Sequence, residues 1–479
     1  MGAQGGIINN LGDFTQDAAF IGTTLTKRGG GWLKTGASGA SLARMIIEEG
    51  TVQNGSGNAA RVVEIKNGSL VDNVSTSHEI NIPEGGVAYW TTGNRCTYTN
   101  KITGEGAITI YSASEKGSGW YATRTPLQLN LSEFNGTLIP QSTNAENPIF
   151  TLDTSNGMPK GTMNIPAGMT VLNHGKTFQI GKMDEDGRGS LGGFCSFNNN
   201  GESGSNTWIL GNDEDWMWYG TVTGSGTAVT KVGEGKMTVR GKWDNTGTVR
   251  VNEGELQVFN GVLGTGQLII AKDAMLSGRT GDDLTNSSVN INGTCQVGNS
   301  ATATSGALEF GNKNVTFGLS SVLKIGIAKA ATKTNTGGGS LKNINRLSMK
   351  GTIVLHYADD LALEVGDSVV LWQAQTCTGS PVLESVVINA EKNLYWDTKN
   401  LLNGVLYVTD VPPAGIADIT VDEYVEVKVV NAGGAVAHTY SCTYGNVKAE
   451  FERVALPKGI YMLKIDSGKK SETIKLQKH

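Results

Sequence analysis

A chain of 479 residues with 38% hydrophobic and only 17% charged side chains has the apolar material for a folded core, which excludes a charge-rich disordered protein. Its 66 glycines beside 10 prolines call for many tight turns and exclude a collagen-like or Pro-rich chain. A formal net charge of −5 offers no electrostatic footprint for nucleic acid.

No apolar run is long enough to span a membrane as a helix, and Met1-Gly2-Ala3-Gln4-Gly5-Gly6 lacks the basic segment of a secretory leader. The opening reads as that of a mature product or an expressed fragment. Cys96, Cys195, Cys295, Cys377 and Cys442 are far apart, with no C-x-x-C and no neighbouring His pair, so neither a zinc site nor a redox pair is expected.

In chain order, residues 1 to about 60 carry a segment, Leu25-Thr26-Lys27-Arg28-Gly29-Gly30-Gly31-Trp32-Leu33, that returns 204 positions later as Val229-Thr230-Lys231-Val232-Gly233-Glu234-Gly235-Lys236-Met237. Glu49-Gly50-Thr51-Val52-Gln53 returns likewise as Glu253-Gly254-Glu255-Leu256-Gln257, which points to one continuous repetitive architecture. Ala40 to Glu49 has some helical patterning and is read as a turn or an irregular coil. From about 61 to 220, runs such as Arg61–Ile65, Glu79–Ile82, Ala107–Tyr111, Leu127–Leu131 and Thr162–Ile165 alternate like strands between Asn-Gly, Gly-Gly and Pro-Ala-Gly turns. Strands this frequent without amphipathic helices exclude a doubly wound sheet.

Gly235 to Gly278 is the most regular stretch. Gly235 and Gly254 are 19 apart, as are Gly247 and Gly266. Val249 pairs by period with Leu268 and Val251 with Ile270, and Met237, Leu256 and Met275 are expected in one apolar column that continues to Cys295 as a small core residue. A strand-rich period near 20 is what a β-solenoid writes into its sequence. Strand-like runs continue through 286 to 410, with an exposed loop expected over Ala328 to Leu341. Pro412-Pro413-Ala414-Gly415 marks the boundary, giving a coiled domain over 1–411, a linker over 412–417 and a small antiparallel β-sandwich over 418–479. In that sandwich Val447–Phe451 is read as one of the strands.

Three classes of candidate site stand out. Asp184, Asp186, Asp213 and Asp215 lie in acidic clusters that could offer oxygens to calcium, yet they match neither EF-hand spacing nor a calcium-binding nonapeptide, and the pattern favours solvated turns. Trp216, Trp218, Tyr219 and Trp90 could stack on sugars, although the alternation of Trp216 and Trp218 sends both to one face and favours core packing. Catalytic signals are absent: the five histidines are scattered, no nucleophile elbow, H-E-x-x-H or phosphate-cradling loop occurs, and Asp282-Asp283 and Asp359-Asp360 are adjacent pairs that fit turns or coil edges.

Lys231-Val232-Gly233-Glu234-Gly235-Lys236-Met237-Thr238-Val239-Arg240-Gly241, followed by Gly247, Val249–Val251 and Asn252–Leu256, resembles the autotransporter-associated β-strand repeat, and Gly366–Ser368 through Trp396-Asp397 and Gly404–Leu406 resembles the end of such passengers. The resemblance implies a right-handed parallel β-helix on a Gram-negative outer surface. Roughly 20 coils at about 4.8 Å each would make a rod near 90 to 100 Å long. Leu456-Pro457-Lys458-Gly459-Ile460-Tyr461-Met462-Leu463-Lys464-Ile465 and Gly468–Ser471 are similar to a type IX secretion sorting domain of Bacteroidetes, without the Pro-Asn-Pro often found near its start. Together these imply an extracellular or surface-held protein, and a repetitive scaffold without a recognisable reactive constellation reads as non-enzymatic and adhesin-like. It would touch polysaccharide or a host or bacterial surface component and need no cofactor. A carbohydrate-active β-helix lyase or hydrolase, or a plain structural stalk, is the alternative.

Overall fold

The computed structural model describes residues 5–17, 20–36, 41–55, 60–94, 96–113, 127–143, 145–146, 148–193, 206–278, 282–297, 306–327, 330–332, 335–336, 339–358, 361–412, 424–467 and 471–478. They form two compact units: Met1–Ala362 with Val369–Glu384 and Asn400–Val405, and Leu363–Ser368 with Ser385–Lys399 and Leu406–His479.

The first unit is β-rich and solenoid-like. One long ladder of parallel strands climbs from Phe14–Gln16 through Trp32–Thr35, Thr51–Asn54 and Asn67–Asp72 to Gly306–Phe317, Gly339–Met349 and Trp372–Gly379. The intervening segments build flanking parallel ladders, such as Trp216–Trp218, Lys236–Val239, Gly254–Val258, Ala274–Gly278, Thr294–Val297, Val322–Ile327 and Thr352–Tyr357. The chain thus leaves the long ladder for a flanking one and returns to the first about one period later, and in the middle coils a third short ladder, Lys242–Trp243 with Val262–Leu263, lies between. Because strand side chains alternate, each coil sends a column of Leu, Ile, Val and Met inward and Thr, Asn, Gln and charged residues outward.

Val249↔Leu268 and Val251↔Ile270 pair as the period requires, and Cys295 is fully buried. The apolar column differs by one residue: Met237, Leu256, Leu276, Cys295 and Leu323 are register partners, while Met275 faces Glu255 and Thr294 on the outside. The chain takes an extra residue in the Ala271–Ala274 turn, closed by Ala274 N–H donating to Ala271 O, so the step lengthens from 19 to 20.

Three further expectations change. Ser41–Ile47 is a strand between Ile21–Arg28 and Val62–Ile65, since Leu42, Met45 and Ile47 fill interior positions. Within Ala328–Leu341 the chain forms an antiparallel pair, Ala330–Thr332 with Asn335–Thr336, and then enters the long ladder at Gly339. Asp282-Asp283 is a ladder strand paired with Leu308 and Glu309, whereas Asp359-Asp360 lies outside the described residues.

In the second unit the tail is a single four-stranded antiparallel sheet, in the order Val436–Thr443, Tyr424–Asn431, Gly459–Asp466, Ser471–Lys478, instead of a two-sheet sandwich. The segment expected as a further strand, Val447–Arg453, is an α-helix that covers one face. Its Val447 and Phe451 are four apart and both buried against Val425, Val427, Val429, Leu463 and Ile465, the spacing by which a helix buries one stripe. Lys478 closes the packing by donating to the Phe451 carbonyl at 2.9 Å and to that of Glu452, in the last helical turn where orphan carbonyls need partners. Most of the Pro-rich linker lies outside the described residues.

Candidate functional site

Four successive coils reach one corner of the first unit as Arg188-Gly189, Tyr219-Gly220, Arg240-Gly241 and Phe259-Asn260-Gly261. The glycines are required by space. A Cβ on Gly241 would overlap the Gly220 carbonyl oxygen, and one on Gly220 would overlap both the Gly189 carbonyl oxygen and the Trp218 ring. Backbone therefore packs on backbone, and the residue ahead of each glycine is turned to the surface.

The result is an outward column of alternating cation and ring. The Arg188 guanidinium sits 3.8 Å from the Tyr219 ring centroid, and Arg240 sits 5.4 Å from Tyr219 and 3.9 Å from Phe259. Arginine stacks well on rings because its guanidinium is planar and weakly hydrated.

Beside this column runs a groove of about 500 Å³. Its floor is the register column Met217, Thr238 and Gln257, with Thr238 Oγ1 donating to Gln257 Oε1 at 3.2 Å. Glu185, Asp215, Trp216, Lys236, Arg240 and Phe259 complete the lining. Asp215 is tied to Lys236 twice: its Oδ1 accepts from the backbone N–H at 2.7 Å and its Oδ2 lies 3.6 Å from Nζ.

The aromatic candidates separate. Trp90 and Trp218 are fully buried, and the Trp90 indole N–H donates to Asp72 Oδ2 at 2.9 Å. Trp216 is 8% exposed and lines the groove, while Tyr219 is half-buried on the surface column. The acidic candidates act locally as turn caps. Asp184 Oδ1 accepts from the Asp186 N–H at 2.9 Å, and Asp213 Oδ1 accepts from the Glu234 N–H, one coil on, at 3.1 Å. Among the described residues no three His, Cys, Asp or Glu side chains gather as a metal site.

Sequence reasoning missed Arg188, Arg240 and Phe259: Arg-Gly recurs at the first two, but the unequal spacing and Asn260 between Phe259 and Gly261 hide the column. It also missed a second groove of about 480 Å³ lined by Asn312, Asn343, Gln373, Gln375 and Asn403. Here Asn312 and Asn343 take left-handed backbone at φ 59° and 55°, and Gln375 reaches back to donate to Asn312 Oδ1 at 3.1 Å. A third feature is an interior polar cluster. Asp72 accepts from Asn54 Nδ2, Trp90 Nε1 and Thr76 Oγ1, with His78 Nε2 3.7 Å away. Burial pushes the Asp72 carboxyl up to about 6 and the His78 imidazole down to about 4.

Residues 410–479 match the family model of the secretion system C-terminal sorting domain. This covers the four-stranded tail with its helix and marks the chain as a secreted or cell-surface protein of the type IX route. It lends no support to the autotransporter resemblance of the coiled region. No curated protein matches the chain. Among the described residues no helix is long and apolar enough to cross a membrane.

Proposed function

We propose that the coiled region is a right-handed parallel β-helix on the outer surface of a Gram-negative bacterium, and that it is a non-enzymatic, adhesin-like scaffold contacting glycans. The single observation that carries this reading is the surface column Tyr219, Arg240 and Phe259 beside an open groove. The guanidiniums cover ring faces in this column, so the ring edges offer apolar surface to sugar C–H groups, while the groove's Thr238 and Gln257 offer hydrogen bonds to hydroxyls. The reading calls on no cofactor. Screening the purified chain against bacterial, plant and host glycans tests it: a bound glycan should be lost about tenfold, ~1.4 kcal/mol, in Tyr219→Ala and in Phe259→Ala. Unchanged binding in both variants contradicts the assignment.

One observation favours the enzymatic alternative. The groove brings Glu185 and Asp215 together with Lys236 and Arg240, the residue types a polysaccharide lyase or hydrolase uses. The same screen decides it, because cleavage that disappears in Glu185→Gln assigns an enzyme and intact glycan assigns a binder.

A further inference from the structure

We infer that the ligand of this corner is an anionic polysaccharide bearing carboxylate or sulfate groups, an inference that rests on the glycan-binding reading. The Arg188 and Arg240 guanidinium carbons lie over ring centroids at 3.8 and 3.9 Å, a separation that suits a planar group stacked by its face, which keeps its N–H edge for other partners. Among the described residues neither guanidinium donates a hydrogen bond or joins an ion pair. By contrast Arg28, Arg44 and Arg453 are each held by a carboxylate, Glu48, Glu64 and Glu450. A ring-braced guanidinium with unused donors is preorganised for a planar or tetrahedral oxyanion, which it can grip with two parallel N–H groups.

The surrounding charges agree. The carboxylates nearest the groove on the intervening coil are already neutralised, Glu214 by Lys182 and Asp215 by Lys236. Among the described residues Glu185, which is exposed, remains as the one lining carboxylate without a cation partner, and it would oppose an anion. Arg188 belongs to the coil before Tyr219 and Arg240 to the coil after it, 3.8 and 5.4 Å from the centroid of that one ring, so the two cations flank it and stand less than two interstrand spacings apart. With the Tyr219 ring between them, each fork can take its own anionic group, as a polymer with recurring charges supplies.

The test is titration of the full chain with polygalacturonate, dextran sulfate and uncharged dextran, with a single-stranded oligonucleotide as a polyanion of another class. The inference expects one or both charged polysaccharides to bind and dextran not to. Affinity should drop at least tenfold in Arg188→Gln and in Arg240→Gln, fall by less in Arg240→Lys, which keeps the charge but loses the fork, and rise in Glu185→Gln. Equal binding of dextran overturns the inference while leaving the glycan-binding reading intact. Loss of all three polysaccharides overturns both. Oligonucleotide binding as tight as that of the polysaccharides shows plain polyanion attraction and overturns the inference, as does affinity in Arg240→Lys equal to that of the unaltered chain.

Discussion

Lys27 and Lys231, 204 positions apart, hold the same set of backbone carbonyls. Lys27 Nζ donates to Arg28 O at 2.9 Å, to Gly29 O and to Glu49 O at 3.2 Å; Lys231 Nζ donates to Val232 O at 3.1 Å, Gly233 O at 2.6 Å and Glu253 O at 3.2 Å. Both side chains are essentially buried. Each ammonium joins the turn after its own strand to the turn one coil on, so it fastens neighbouring coils where the strand ladder lapses. Burial lowers both ammoniums, that of Lys231 to about 8.

Replacing either lysine with methionine keeps the apolar stem and strands the carbonyls. Lys27→Met and Lys231→Met should each cost ~1–3 kcal/mol of local stability, read as lost amide protection in Thr51–Asn54 and Gly254–Val258 respectively. The effects should be alike and additive, since distant coils are energetically independent. A large loss in one and none in the other contradicts their equivalence.

The Asp72 and His78 pair has a signature in pH. Asp72, ordinarily near 3.8, is raised to about 6 by burial, so between these values the fold holds the proton and stability falls as pH rises. His78, ordinarily near 6.5, is lowered to about 4, so over about pH 4 to 6.5 the unfolded chain holds the proton and stability rises with pH. The two trends oppose each other from about pH 4 to 6, and the unaltered chain should respond weakly there. Asp72→Asn should expose the rising arm and His78→Gln the falling one, each at up to ~1.4 kcal/mol per pH unit, measured by denaturant midpoints across that window. Slopes of the same sign in both variants would contradict the pairing.

Cys295 sits between Leu276 and Leu323 in the interior column, where burial pushes its thiol up to about 12. Iodoacetamide at pH 8 should label half-buried Cys96 and spare Cys295 until the chain unfolds. Cys295→Ser should cost more than Cys295→Ala, by ~1–3 kcal/mol, because a hydroxyl there has no partner to meet.

The corner glycines give a steric prediction. Gly241→Ala should cost ~1–3 kcal/mol or more, as packed backbone on the preceding coil has no room to yield. Gly12, with nothing within 4 Å of an added Cβ, should accept alanine almost neutrally. Thermal denaturation of the two variants makes the comparison, and an equal shift in both sinks the account of the corner.

Much of the coil was legible because its strands repeat chemically: Val249 with Leu268, Val251 with Ile270, Lys27 with Lys231. What hid was whatever depends on how long each turn is. One extra residue near Lys272 moved Met275 out of the core and Leu276 in, and no local pattern announces such an insertion. For the same reason Arg188, Tyr219, Arg240 and Phe259, at intervals of 31, 21 and 19, do not look like a column in sequence. Tyr219 and Trp216 were found only as aromatics. In the tail, Val447 and Phe451 satisfy a short strand or a helix about equally on propensity, and packing on the Val425–Val429 face decides for the helix.

The interior columns, the lysine ties and the surface corner all require coils stacked in register, and spin-label distances along one outward column measure that directly. Gln179, Ile209, Thr230, Arg250, Ile269, Asn290, Thr316, Ser348 and Thr378 are successive partners in the long ladder. Labels at 250 and 378 are five steps apart and should lie at roughly 24 Å, and labels at 179 and 378, eight steps apart, at roughly 38 Å. Distances that grow with the number of coils at this pitch support the stack; distances that do not scale with the coil count would contradict it.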